Sequence, residues 1–305
     1  MMIIDAHAHV VEHIAGFGRR GELRPLGMGR ARWGDGTELQ LIPPELGDRE
    51  FLAPTLVGLM DENHVEKAVL LQGSFYGFQN EYAREVAGRY PGRFAAAGTF
   101  DPYCADREAL LNRLLGDFQL KILKFEVSSG AGLMSYHSPF ALEGPLMDGI
   151  WEAMAAAGAT LVLDIGSPGM ASFQPRAVAT IARKFPQLRI VLCHLLAPTL
   201  NDGPALRGAL DELALDNLWF DLAAVPWNVA PESYPYPTAC EFVGMARSRL
   251  GAGKLLWGSD VPCVLTRDTY RHLIDYLIQG KVFTDQELEA VYRTNALELF
   301  GPAFG

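Results

Sequence analysis

The sequence predicts a single-domain (β/α)₈ barrel of the α/β class, and three observations carry that prediction. Short apolar, β-branched runs recur eight times in 305 residues, at 2–6, 67–72, 93–99, 120–127, 159–165, 189–194, 218–223 and 254–260. They are near-continuous rather than alternating, as parallel strands covered on the outer side are. Stretches of helical spacing separate them, at 78–90, 106–118, 145–157, 174–185 and 204–215. Strands alternating with helices read as a barrel. A doubly wound open sheet is the rival, but no GxGxxG follows the first strand.

Taken in order, the first strand is followed by the stretch with the least periodicity. Residues 11–50 are rich in Gly, Arg and Pro. Connections longer than about 15 residues without structure are uncommon and often functional. Leaving the C-terminal end of the first strand, this insertion is expected to overhang the face where barrel active sites sit; the bland alternative is a disordered surface excursion. Its arginines, Arg19, Arg20, Arg24, Arg30 and Arg32, are candidate anion clamps. Among them, Arg32 is a candidate substrate-binding residue. From there the helical and apolar stretches follow one another without a linker or a fixed-period repeat, so residues 1–305 read as one domain. Pro204 suits a helix start, and Gly158 lies just past a helix end.

Composition narrows the function classes. With 49% apolar and 20% charged residues, the chain is a packed globular protein, not a disordered, collagen-like or disulfide-scaffold one. Twenty-six Lys plus Arg against thirty-six Asp plus Glu give a formal charge of −10. Such a surface argues against nucleic-acid and anionic-membrane partners. Cys104, Cys193, Cys240 and Cys263 have no CxxC spacing. The start lacks the basic and apolar regions of a signal peptide. Free thiols in a reducing cytoplasm are therefore expected, and no apolar run reaches the ~20 residues of a membrane helix.

The chemistry sits at strand ends. In Asp5-Ala6-His7-Ala8-His9, residues two apart share a face, so His7 and His9 project together and can bind one divalent metal. Asp164 places a carboxylate inside the apolar run Leu161–Ile165, where it is costly unless paired or coordinating. His194 and Asp260 close two further strands. Each alone reads as a capping or ion-paired residue. Together, His7, His9, Asp164, His194 and Asp260 converge on the C-terminal face of a barrel.

At these residues the chain resembles the amidohydrolase superfamily, in its amidohydrolase-2 branch of hydrolases, lactonases and non-oxidative decarboxylases. The resemblance rests on IIDAHAHV at the start, IVLCHLLAP in the sixth unit, LLWGSDVP in the eighth and TNALELF in the last helix. It implies a distorted barrel with one divalent metal, zinc or alternatively manganese. His7 and His9 would be ligands, Asp260 a ligand or proton carrier, and His194 the group that polarises substrate or shuttles a proton. The fifth strand of relatives supplies a histidine where this chain has Asp164. That residue is then a replacement ligand, an orienter of a histidine, or the mark of a site without metal. Lys124 and Glu126, of like parity on the fourth strand, read as metal- or substrate-binding groups or as an internal ion pair.

The remaining candidates lie in loops. The aromatic run from Pro226 and Trp227 to Tyr234 and Tyr236 is expected to wall a pocket, with Trp227 a substrate-binding residue. His13 and His137 fall in loops that could face the site, whereas His64 and His272 read as structural or solvated. The expected function is metal-dependent hydrolysis of an amide or lactone bond in a small, carboxylate-bearing molecule, with Asp260 and His194 catalytic. Non-oxidative decarboxylation is the alternative, and a non-catalytic or metal-free lactonase barrel the third reading. The apolar segment 296–304 is a candidate dimer contact.

Overall fold

The computed structural model describes residues 2–305. Its first strand, β1 (Ile3–Ala8), is buried along its whole length. A four-stranded antiparallel meander follows: β2 (Gly16–Gly18), β3 (Gly21–Gly27), β4 (Arg30–Trp33) and β5 (Glu38–Gln40). The insertion is thus folded rather than disordered. Its strands are short and polar, and in β4 only every second residue is buried. Such brief alternation is easily masked by Gly and Arg content.

The other barrel strands are β6 (Val65–Leu70), β7 (Phe94–Ala96), β8 (Ile122–Glu126), β9 (Thr160–Asp164), β10 (Arg189–Leu192), β11 (Leu218–Asp221) and β12 (Leu255–Leu256). They pair in parallel as two sheets, β1-β6-β7 and β8-β9-β10-β11-β12. Backbone hydrogen bonds join the sheets at both seams. Ala6 N–H donates to Trp257 O at 3.0 Å and Asp260 N–H to His7 O at 2.7 Å. On the other side Gly98 N–H donates to Ile122 O at 2.9 Å and Lys124 N–H to Gly98 O at 2.8 Å. The strands therefore close into a distorted barrel of the predicted class.

The expected helices are present. Asn80–Arg89, Pro145–Ala156, Pro175–Lys184 and Gly203–Glu212 lie within or beside the predicted spans, while 106–118 divides into an α-helix, Arg107–Asn112, and a π-turn, Arg113–Asp117. Hydrophobic residues between helices and strands form the outer core. Inside the barrel, Ile4, Val69, Ala95, Ile122, Val162, Val191 and Leu256 pack against Ala296, Leu299, Phe300 and Phe304. The main apolar side chains of the C-terminal segment are thus covered within their own chain. Phe300 and Phe304 are buried against the barrel interior of their own chain, because that layer of inward side chains needs a cover.

Candidate active site

Six of the eight barrel strands deliver a polar residue at or just after their C-terminal end. His7 and His9 leave β1, Glu126 and Asp164 end β8 and β9, His194 follows β10, Asp221 ends β11 and Asp260 follows β12. The chain just after β12 approaches β1 closely at Gly258, where a Cβ would meet the His7 Cβ at 2.9 Å. Behind this seam the buried Asp5 accepts hydrogen bonds from Ser259 Oγ (2.5 Å), Tyr270 Oη (2.7 Å) and the His7 N–H (3.0 Å). The Asp5 network ties the strand that carries the histidines to the strand that carries Asp260.

His7 and His9 are buried, and their rings are oriented from behind. His7 Nδ1 lies 3.0 Å from Asp221 Oδ2, and His9 Nδ1 lies 2.8 Å from the Leu71 carbonyl. With each Nδ1 donating to an oxygen, the Nε2 lone pairs point into the barrel mouth. Asp260 Oδ1 stands 3.0 Å from His9 Nε2 and 3.5 Å from His7 Nε2. Ligand atoms of these three side chains lie within 4.8 Å of one another.

Electrostatics favour the same donor state. Burial, with Lys124 adding to it, drives His7 well below the usual imidazole range. Burial likewise lowers His9, against the pull of Asp260. Burial would raise Asp260, but its contact with His9 and the positive charge of His194 outweigh it and hold the carboxyl well below its usual range. Two neutral imidazoles and one carboxylate are a donor set that zinc or a harder divalent ion accepts. The residues present fit the metal.

His194 sits on the other side of His7, ring centroids 4.8 Å apart. It opens a run of left-handed residues, with φ of 59° at His194, 50° at Leu195, 67° at Leu196 and 47° at Ala197. Non-glycine residues rarely adopt that region, which costs about 1–2 kcal/mol per residue. Asp221 secures the turn by accepting from His194 N–H at 2.8 Å and Ala223 N–H at 3.1 Å. His194 Nδ1 lies 3.0 Å from the Ala223 carbonyl. Burial would lower its pKa, yet Asp260, Asp164 and Asp221 together raise it, so Nε2 holds its proton toward the site.

A cavity of about 720 Å³ opens above these groups, lined by His9, Lys124, Glu126, Asp164, His194, Trp227 and Asp260. Leu39 and Gln40 of the insertion form part of its wall. The insertion docks through β2: Phe17 N–H donates to Ser74 O, and Ala15 N–H to Tyr76 O, both at 2.9 Å.

Several sequence expectations meet a different geometry. Asp164 is not in the His7–His9–Asp260 donor cluster; its Oδ1 accepts from Gly166 N–H at 2.8 Å, and its Oδ2 lies 4.0 Å from His194 Nε2. Arg32 does not line the cavity and is paired with Glu38 at 2.6 Å on the exposed side of the meander. The cation at the mouth is Arg267, 3.7 Å from the Trp227 ring centre. Tyr234 and Tyr236 line a neighbouring cavity, where Tyr234 stacks on His272 at 4.2 Å. His13 is exposed, and His137 pairs with Asp101 at 2.6 Å; neither lines the site. Asp221 and Arg267 escaped the sequence reading. Asp221 ends an apolar run, Leu218–Asp221, by the same rule that singled out Asp164, whereas Arg267 sits in a loop without any pattern.

The amidohydrolase-2 family model matches residues 4–301. The chain belongs to the amidohydrolase family. This amidohydrolase is similar to an L-fucono-1,5-lactonase of Burkholderia ambifaria, with 26% identity over 236 residues that cover 72% of this chain and 74% of the relative. Among solved structures it is similar to a probable 2-pyrone-4,6-dicarboxylic acid hydrolase of Acinetobacter baumannii with citric acid bound. That likeness has a TM-score of 0.71 at 19% identity and covers 99% of this chain and 100% of the other. An amidohydrolase of Burkholderia multivorans with zinc bound gives a TM-score of 0.72 at 15% identity, covering 99% of each chain. As a member of that family, the protein is an enzyme. No helix among the described residues is long and apolar enough to cross a membrane.

Proposed function

We propose that this amidohydrolase hydrolyses the lactone bond of a small molecule with one divalent metal, zinc first and manganese as the alternative, held by His7, His9 and Asp260. The observation that carries the proposal is the convergence of His7 Nε2, His9 Nε2 and Asp260 Oδ1 at the base of the cavity. Similarity to the L-fucono-1,5-lactonase of Burkholderia ambifaria supports a lactone rather than an amide as the bond broken here, and the zinc bound by the Burkholderia multivorans amidohydrolase supports that metal here. A divalent ion there would supply Lewis acidity toward a carbonyl oxygen and toward water.

The protein groups divide the proton work. Asp260, held ionised, accepts a proton from the attacking water as the new C–O bond forms. His194 directs its Nε2 proton at the oxygen where negative charge develops. As the ring C–O bond breaks, the proton on Asp260 passes to the departing alkoxide, and the carboxylate is restored. Leu39, Gln40 and Trp227 enclose the reacting group.

The test is elemental analysis of tag-free protein together with proton release from a panel of lactones. About one zinc or manganese per chain and lactone turnover are expected. His7→Ala should lose metal and turnover together, whereas Asp260→Asn should lose turnover by a factor of about 100 or more while keeping part of the metal. Carbon dioxide release from aromatic acids without lactone turnover would instead identify a decarboxylase. Full activity in metal-free His7→Ala would overturn the mechanism.

A further inference from the structure

We propose that Lys124, Glu126 and Asp164 form a wall that reads the hydroxyl groups of an uncharged, polyhydroxylated substrate ring and so sets specificity. The inference rests on the lactone hydrolysis proposed above.

Glu126 and Asp164 stand opposite each other in the parallel register of β8 and β9, and both line the cavity. Neighbouring residues of paired strands have side chains close enough to interact, and like charges in such positions are destabilising unless something compensates. Lys124 supplies the opposing charge, but hydrogen bonds to the pair are few. Glu126 Oε2 receives Phe75 N–H at 3.3 Å, and Asp164 Oδ1 receives Gly166 N–H at 2.8 Å. Asp164 is 9% exposed, and its Oδ2 lies 4.0 Å from His194 Nε2, beyond hydrogen-bonding length. Each carboxylate thus keeps acceptor positions turned to the cavity.

Lys124 is the independent observation. It lies two residues before Glu126, on the same face of β8, and is 3% exposed. Among the described residues, its side-chain nitrogen has one polar contact, His7 Nε2 at 3.4 Å. A buried ammonium is expensive when its protons lack acceptors, and this one borders the cavity.

Charge selects the ligand class at this wall. Arg267 lies at the mouth, stacked on Trp227, whereas at the wall two carboxylates stand beside one ammonium, so a ligand ammonium there would meet Lys124 and a ligand carboxylate would meet Glu126 and Asp164. A hydroxyl accepts from Lys124 Nζ and donates to a carboxylate at once. Adjacent hydroxyls on one ring suit two carboxylates side by side. This replaces the carboxylate-bearing substrate expected from sequence with a neutral polyol lactone.

The experiment measures binding by calorimetry to the metal-loaded enzyme, using ring ethers that cannot be hydrolysed: a 1,5-anhydrohexitol, its amino-substituted analogue and tetrahydropyran. The anhydrohexitol should bind at least about 100-fold more tightly than tetrahydropyran, since a site built for hydroxyls rejects the ring lacking them. Glu126→Gln and Asp164→Asn should each weaken anhydrohexitol binding about 10-fold or more with metal content unchanged. Failure of the wild-type enzyme to prefer the polyol overturns the proposal, as does tighter binding of the amino analogue or wild-type affinity in both variants. Hydrolysis is read separately. Polyol binding without lactone turnover would sink the lactonase reading alone, and turnover of δ-valerolactone equal to that of a hexono-1,5-lactone would sink the hydroxyl-reading wall alone.

Discussion

Asp221 shows how much of this site depends on a side chain that does not face the cavity. It is fully buried; one oxygen orients His7 through Nδ1, and the other holds the left-handed turn that carries His194. A carboxylate behind a ligating imidazole fixes its tautomer and increases its basicity, and losing such a partner costs 10–100-fold in metal affinity or activity. Asp221→Asn keeps the volume but removes the charge. Metal affinity, measured by competition with a chelator, should fall by about that factor, and kcat/KM should fall with it. An unchanged affinity would mean that His7 needs no carboxylate behind it. At this scale the sequence was partly legible. His7, His9, His194 and Asp260 show themselves as polar residues closing apolar runs, and all four reach the site. Asp164 obeys the same rule and lines the cavity, but lies outside the His7–His9–Asp260 donor cluster, because strand parity sets a face and not a rotamer.

At the scale of elements, the meander is what the sequence concealed. Its strands of three to seven residues are too brief for a period to stand out, and its pairing partners are each other rather than the barrel. Beside the hydrogen bonds of Ala15 and Phe17, the meander meets the barrel in a close approach at Gly16, where a Cβ would lie 2.0 Å from the Phe75 carbonyl oxygen. Gly16→Ala must therefore move either β2 or the loop that follows β6. Because Leu39 and Gln40 belong to the same meander, the cavity wall moves with it. The expected outcome is a severalfold rise in KM with metal content and kcat little changed, since His7, His9 and Asp260 sit on strands the meander does not pair with. Loss of metal in this variant would show that the insertion supports the ligands and not only the wall.

For the whole molecule, closure and cover are coupled. The eight strands seal at two seams, and the opposite end of the barrel from the active site is filled by the C-terminal helix Asn295–Phe300 and the residues after it. Eight short apolar runs with intervening helices made the barrel legible. The role of segment 296–304 was not, because an apolar C-terminal stripe looks the same whether it meets a second subunit or its own barrel. Phe300 is 1% exposed and packs in the interior cluster. Truncating a buried phenylalanine costs about 3–5 kcal/mol through lost burial and the cavity left behind. Phe300→Ala should therefore lower unfolding free energy by about that amount in denaturant titration, with the sedimentation coefficient of the folded protein unchanged. A variant of wild-type stability but altered association state would place this segment between subunits instead. The barrel interior would then need another cover.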